Sequence, residues 1–386
     1  MIFIKIIKKG EKMRIGIDVT WLKPKKSGGV EFYFRNLLEG ILKLEDKNEY
    51  VLFLAKDNIN YIKELFNDSR LVFVECATSA FNVKQHLIWQ NLSQYKVLKK
   101  NNIDFCFFPV YEMPLYKCKK IKCVTGILDI QAFHYPEYFS KLENTWFKLA
   151  WKKDLKIADK IVTITNYSKE DIMKNFKNKN NIQAIYVPVT LKNNEIEDFD
   201  TIKDKYGINE NEYYYTVSSM HKHKNLITLI KTIKEIKEKN IKIPNKLVIS
   251  GVGGPNREKL LEEIKQMNIE ENIIITDFVS NSERNTLIKH SNCFLFPSIF
   301  EGFGIPPVEA MGLGTKVITT KCTSLPEVTQ GKCNYVEDAL SVDNWIEEIK
   351  KIQNQEAKKY EFEEYKDTVI ARQYLDLFYE IIESGK

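Results

Sequence analysis

The sequence predicts an α/β protein of two Rossmann-like domains with parallel sheets facing a cleft. Three observations carry this. Short apolar runs such as Cys293–Phe296, suited to strands covered on both faces, alternate with stretches whose apolar residues recur at helical spacing. The alternation lapses in a polar, Asn-rich run over 189–211 and then restarts. Glycine-bearing loops follow several strand ends, where open parallel sheets bind their ligands.

The first half opens with a strand, Arg14–Val19, and a loop ending at Gly28-Gly29. A helix over 31–44 follows, with Phe34, Leu37, Leu38 and Ile41 on one face. Strand, glycine turn and helix make a candidate anion site, because a helix N-terminus presents free N–H groups. Strands are expected at Tyr50–Ala55, Leu71–Val74, Ile103–Phe108 and Cys123–Leu128. Between them, 84–99 reads as one helix with Leu87, Ile88, Leu92, Tyr95 and Leu98 on a single face. His86 reads there as a packing or surface residue. A helix over 146–157, a strand Lys160–Ile164, a helix capped by Ser168 and a strand Ala184–Val187 complete this half.

The domains are expected at 1–190, with a linker at 191–211, and at 212–365. A terminal helix over 366–386 is expected to cross back to the first domain. Strands recur at Tyr213–Ser218, Lys246–Ile249, Ile273–Ile275, Cys293–Phe296 and Lys316–Thr319, with helices at 285–290, 341–352 and 363–382.

Composition narrows the class. Apolar residues make up 44% and charged residues 28% of 386 residues, as in a globular protein with ordinary cores. The net charge of +6 is scattered. It suits anionic phosphates or an anionic membrane surface and argues against nucleic acid as a partner. Seven cysteines without a CxxC pair point to reduced thiols in the cytoplasm and to no zinc site. No run reaches transmembrane length. Residues 1–12, MIFIKIIKKGEK, are too short and charged for a signal peptide's core. A surplus start before Met13 is preferred there over an edge strand or a weak membrane contact.

The most informative stretch is 293–320, CFLFPSIFEGFGIPPVEAMGLGTKVITT. A strand meets a loop with Gly302 and Gly304, then a helix begun by Pro306-Pro307, whose missing N–H groups cost nothing in a first turn. Glu301 and Glu309 stand eight positions apart, at the loop mouth and on the helix. Small residues admit close backbone approach, helix N–H groups attract phosphate, and a carboxylate one or two turns in can accept bonds from sugar hydroxyls. Each Glu alone would read as a solvated surface residue.

EGFGIPPVEAMGLGTKVITT, continued by Ser324-Leu325-Pro326-Glu327-Val328, resembles the nucleotide-sugar signature of glycosyltransferase family 4, retaining enzymes of the GT-B fold. The resemblance is dense over 213–330 and looser from 13 to 383. It implies a donor nucleotide diphospho-sugar and neither a cofactor nor a catalytic metal. Gly28, Gly29, Lys224 and the loop Gly302, Phe303, Gly304 and Ile305 would hold the diphosphate, with His223 beside Lys224. Glu309 would bind the ribose hydroxyls and Glu301 the sugar. The turn at Gly251 would border the nucleotide, and Asp277 to Ser280 the base.

GILDIQAFHYPEYFS resembles the stretch in which the family carries a His-Asp pair. Asp129 matches the Asp and takes an acceptor-side role. Leu128 stands at the His position, and His134 is the candidate substitute. The family's Arg ahead of Lys224 falls at Ser218 or Ser219 and is absent, leaving His221, Lys222 and His223.

The expected activity is sugar transfer to a growing glycan or polyprenyl-linked acceptor in surface-polysaccharide assembly (O-antigen or capsule), with peripheral contact at the inner face of the cell membrane. The departures at Leu128 and Ser219 keep a catalytically silent partner subunit open. The turn Gly251 to Gly254 keeps an NAD-dependent oxidoreductase open.

Overall fold

The computed structural model describes residues 12–116, 121–177, 181–190, 196–251, 257–276 and 279–383. The chain divides into two compact units, Met1–Thr190 with Glu363–Lys386, and Leu191–Phe362.

In the first unit seven strands form one sheet in the order β3-β2-β1-β4-β5-β6-β7. They are β1 (Arg14–Asp18), β2 (Glu49–Ala55), β3 (Leu71–Cys76), β4 (Phe105–Phe108), β5 (Lys122–Gly126), β6 (Lys160–Thr163) and β7 (Ile182–Ala184). All pairs are parallel, with Ile17 opposite Leu52 on one side and Phe107 on the other. Helices cover both faces of such a sheet, so a central strand such as Phe-Cys-Phe-Phe of β4 is apolar at every position and buried throughout.

The second unit repeats the pattern in six parallel strands, β10-β9-β8-β11-β12-β13. These are β8 (Tyr213–Val217), β9 (Lys246–Ser250), β10 (Ile273–Ile275), β11 (Cys293–Phe296), β12 (Val317–Thr320) and β13 (Asn334–Val336). In each unit the chain runs outward over three strands and then crosses back, so the order reverses between β1 and β4 and between β8 and β11. Open α/β sheets bind ligands at these reversals, outside the carboxyl ends of the strands.

The C-terminal helix, Asp367–Glu383, belongs to the first unit. It packs on the helix Gly29–Lys43, where a Cβ on Gly40 would lie 2.4 Å from the carbonyl oxygen of Asp367. The Tyr33 and Tyr374 hydroxyls are 2.5 Å apart, and the Phe378 ring lies 4.6 Å from that of Phe105.

Three expectations need revision. The stretch 84–99 is two helices, Val83–Leu92 and Gln94–Lys100, broken at Ser93. The first is turned inside out: His86, Trp89 and Gln90 are buried while Ile88 and Leu92 face solvent. The reason is Glu112, which draws His86 Nε2 to 3.1 Å and the Gln90 amide to 3.1 Å. The helix Asn166–Phe176 is capped by Thr165, whose hydroxyl accepts from Ser168 N, and not by Ser168. The Asn-rich run carries a helix, Phe199–Tyr206, tied to the second unit by Lys205 at 2.6 Å and Tyr206 at 2.7 Å from Glu283.

Residues 1–11 and 252–256, Cys118, Asp277 and Phe278 lie outside the described residues. Among the described residues the six cysteines form no disulfide. Among the described residues no helix is long and apolar enough to cross a membrane.

Candidate functional site

The reversal of the second unit brings two loops with charged side chains together. After β8 the chain enters a loop ending in a 3₁₀ turn, Lys222–Lys224; after β11 it runs through Glu301 to the helix Ile305–Gly312. Backbone joins the two loops, with Ile299 N donating to His223 O at 2.9 Å. Asn225, in the left-handed conformation at φ 51°, donates to Pro297 O and Ala339 O. Lys224 Nζ is thereby set 2.6 Å from Glu301 Oε1.

Two residues beyond β12 fix Glu301 from behind. Glu301 N donates to the Thr323 hydroxyl at 2.9 Å, and the Ser324 hydroxyl donates to Glu301 O at 2.9 Å and Phe303 O at 3.0 Å. Gly304 then caps the next helix at φ 94°, without a side chain to occupy its first turn. Pro306 and Pro307 supply no donors in that turn, so an anion there would meet fewer N–H groups than at an ordinary helix start.

Glu309 also has a cation. Arg284, on the helix Asn281–Lys289, donates from Nη2 to Glu309 Oε1 at 3.0 Å. Burial pushes the Glu309 carboxyl above its usual range, and Arg284 opposes this. Arg284 Nε is buried without a partner among the described residues. The signature acids thus both sit in ion pairs on one sheet edge.

Gly251 ends β9 at φ 148°, with Ser218 N donating to Ser250 O at 3.0 Å beside it. His223 carries no charge near neutrality: burial first, then Lys224 and His221, hold its imidazole down at about 3. It offers a phosphate a neutral imidazole, and Lys224 supplies the positive charge.

The first unit carries the remaining candidates, Gly28 and Gly29 for the diphosphate and Asp129 and His134 for the acceptor side. Gly28, at φ 57°, caps Gly29–Lys43, and a Cβ at Gly28 or Gly29 would meet nothing within 4 Å. Asp129 follows β5 and accepts from Gln131 N at 2.9 Å, shaping the turn. Leu128 turns its carbonyl to the Thr163 hydroxyl at 2.9 Å. His134 Nε2 lies 2.7 Å from Asp171 Oδ2, which anchors it to the helix Asn166–Phe176.

Sequence reasoning missed Arg284, Thr323 and a buried group at the end of β1, and gave Ser324, quoted in the motif, no role of its own. Thr323 and Ser324 adjoin the Leu-Pro-Glu-Val run, so they were within reach of the motif. Arg284 sits on a polar helix with no spacing that marks it. Asp18 closes β1, and an acid ending an apolar strand was a readable signal. One Asp18 oxygen accepts from the Thr20 hydroxyl at 2.8 Å; the other is buried with no partner among the described residues.

Burial, opposed by His86 and Thr20, pushes Asp18 up from 3.8 to about 6. A raised carboxylate binds its proton more tightly in the folded state, so stability falls as pH rises from about 4 to 6. Asp18→Asn removes that slope. The variant is expected to match the parent near pH 4 and to exceed it by roughly 3 kcal/mol above pH 6. Denaturant unfolding at several pH values checks this, and a gap independent of pH would exclude it.

The profile of the family described as "Glycosyl transferases group 1" matches residues 198–368. The O-antigen chain mannosyltransferase RfbU of Salmonella typhimurium strain LT2 is 26% identical over 304 residues, 76% of this chain and 80% of that protein. Among solved structures, sucrose-phosphate synthase from Thermosynechococcus elongatus superposes with a TM-score of 0.69 at 12% identity, over 97% of each chain. HepE from Anabaena, solved in complex with UDP and glucose, gives 0.61 at 13% identity, over 97% of this chain and 98% of that one. The fold and the matches agree: the chain is a glycosyltransferase with the two-domain α/β fold called GT-B, and its second unit is similar to the glycosyl transferases group 1.

Proposed function

We propose that the chain is a retaining, metal-independent glycosyltransferase of surface-polysaccharide assembly, such as O-antigen or capsule. It would take a sugar from a nucleotide diphospho-sugar to a growing glycan or a polyprenyl-linked acceptor at the cytoplasmic membrane face. The observation that carries the reading is the pair of acid–cation contacts on one sheet edge, Lys224–Glu301 and Arg284–Glu309. The likeness to an O-antigen chain mannosyltransferase and to a UDP-binding structure supports it.

In this reading the donor rearranges the pairs. Lys224 turns to the diphosphate and steadies the charge that grows on the leaving phosphate. Glu301, released from Lys224, accepts from sugar hydroxyls, and Glu309 accepts from the ribose. The bond from the anomeric carbon to the phosphate oxygen breaks. The acceptor oxygen bonds on the same face, and its proton passes to the leaving phosphate. Asp129 orients the acceptor. The family match favours this chemistry over a nicotinamide reaction.

A thermal-shift panel of UDP, GDP, dTDP and their sugars tests the reading. One nucleotide series is expected to raise the unfolding midpoint, because a ligand held by the folded state alone stabilises it by mass action. NAD is expected to do nothing. No shift with any nucleoside diphosphate at millimolar concentration would end the proposal.

A further inference from the structure

Three segments of the first unit converge where its strand order reverses. β1 ends at Asp18, the chain after β4 carries Glu112, and the helix Val83–Leu92 turns His86 and Gln90 inward. Glu112 is clamped at one oxygen. Its Oε2 lies 3.1 Å from both His86 Nε2 and Gln90 Nε2, and Gln90 also donates to Glu112 O. The backbone is fixed as well. Glu112 N donates to Val110 O at 2.6 Å, the Thr125 hydroxyl of β5 donates to the same oxygen at 3.0 Å, and Lys153 donates to Met113 O. Glu112 Oε1 makes no hydrogen bond among the described residues, and the side chain is 20% exposed.

Stability alone does not account for this cluster. Asp18 is 1% exposed and His86 7%, and Asp18 Oδ2 and His86 Nδ1 are both buried with no partner among the described residues. A buried polar atom left unpaired costs about 1–3 kcal/mol, and native proteins keep few of them. Apolar side chains of the same volume would hold these segments as well or better. Asp18 lies within electrostatic reach of both His86 and Glu112, so its unpaired oxygen belongs to the same cluster.

A carboxylate fixed at one oxygen and open at the other accepts a hydrogen bond from a set direction. Its surroundings select the donor. Asp57, Asp18, Glu112 and Asp129 close or follow the neighbouring strands β2, β1, β4 and β5, with His86 as the cation against them. Tyr111 lies within electrostatic reach of Glu112 and Asp129 alike. A phosphate or a sugar carboxylate would meet net negative charge there. A neutral hydroxyl would not, and it donates the bond that Glu112 Oε1 lacks.

We propose that Glu112 binds a hydroxyl of the acceptor sugar, with His86 and Gln90 as the residues that position it and Asp18 behind them. That role presupposes the transferase reading, with the acceptor on the first unit, and deepens it: the end of the acceptor bound there is a neutral sugar.

The test is saturation-transfer NMR of the full chain with the methyl α-glycosides of mannose, glucose, galactose, N-acetylglucosamine and glucuronic acid. At least one neutral glycoside is expected to bind in the millimolar range, and the glucuronide is expected not to bind. Glu112→Gln keeps the size of the side chain but not its charge, and should weaken that glycoside about tenfold or more. Gln90→Leu takes one donor from the clamped oxygen and should weaken it about fivefold. Glu75→Gln, at an exposed position of β3, should bind as the parent does. A merely structural role would move the unfolding midpoint and leave glycoside affinity alone. Parental affinity in Glu112→Gln therefore overturns the proposal, as does preference for the glucuronide or binding of no glycoside by the parent. Where Glu112→Gln does not fold, Glu112→Asp, which keeps the charge but withdraws it by one carbon, is judged by the same affinity. Nucleoside diphosphate shifts report on the second unit. A parent that shifts with nucleotide but binds no glycoside defeats this role for Glu112 and leaves the transferase reading standing.

Discussion

Replacing Glu309 with alanine is expected to cause two losses that a further substitution separates. The first is donor binding. A carboxylate accepting from ribose hydroxyls makes charge-assisted bonds, and their removal is expected to weaken nucleoside diphosphate binding about 100-fold. The second is stability. Arg284 would keep its buried Nε and lose the carboxylate 3.0 Å from Nη2. Stranding one partner of a fully buried pair costs about 3–5 kcal/mol. Arg284 retains 22% side-chain exposure, so a cost of about 2 kcal/mol is expected. Glu309→Ala/Arg284→Leu should recover most of the stability and none of the binding. Calorimetric titration and denaturant unfolding of both variants decide the matter. Parent-like nucleotide affinity in the single variant would remove Glu309 from the donor site. A double variant as unstable as the single one would show that the pair is not what holds the helices there.

Gly251→Ala is expected to be the most damaging single-methyl change in the second unit. An added Cβ would stand 1.8 Å from the Ser218 carbonyl oxygen, at a φ of 148° that L-residues rarely adopt. The obstacle is backbone on the neighbouring strand end, so no rotamer change relieves it. A loss above about 3 kcal/mol is expected, which corresponds to a midpoint drop of about 10 °C for a unit of this size. Gly331→Ala is the control. Its φ of 66° is also left-handed, but nothing lies within 4 Å of the added carbon. It should cost only the backbone term of about 1 kcal/mol. Equal midpoints for the two variants would show that the close approach at Ser218 carries no energy.

These two sites also mark what a linear reading can reach. Glu301, Glu309 and Lys224 were legible because each belongs to a local pattern of glycine loop, helix start and strand end. The central strands were legible for a related reason. Residues covered on both faces, as in β4 and β11, must be apolar at every position. The edge strand β13, Asn334–Val336, has only three residues, of which only Val336 is fully buried, and gave no comparable run. The helix Val83–Leu92 was misread for a physical cause: helical spacing shows which residues share a face, not which face turns inward. Glu112, more than twenty positions away, decides that. Arg284 was hidden likewise, because its partner lies on another helix. The charge of His223 depends on burial, which no spacing reports.

The C-terminal helix gives the fold a temporal order. The first unit is split in sequence, with the second unit encoded between its two parts. During translation the faces of Tyr33, Phe105 and Phe107 that meet Tyr374 and Phe378 are synthesised roughly 270–340 residues before their cover, a wait of about 14–70 s at ribosomal rates. The continuous second unit can close while the first still waits with aromatic surface bare. The second unit is thus complete first, and the first is closed only when the helix Asp367–Glu383 has been made.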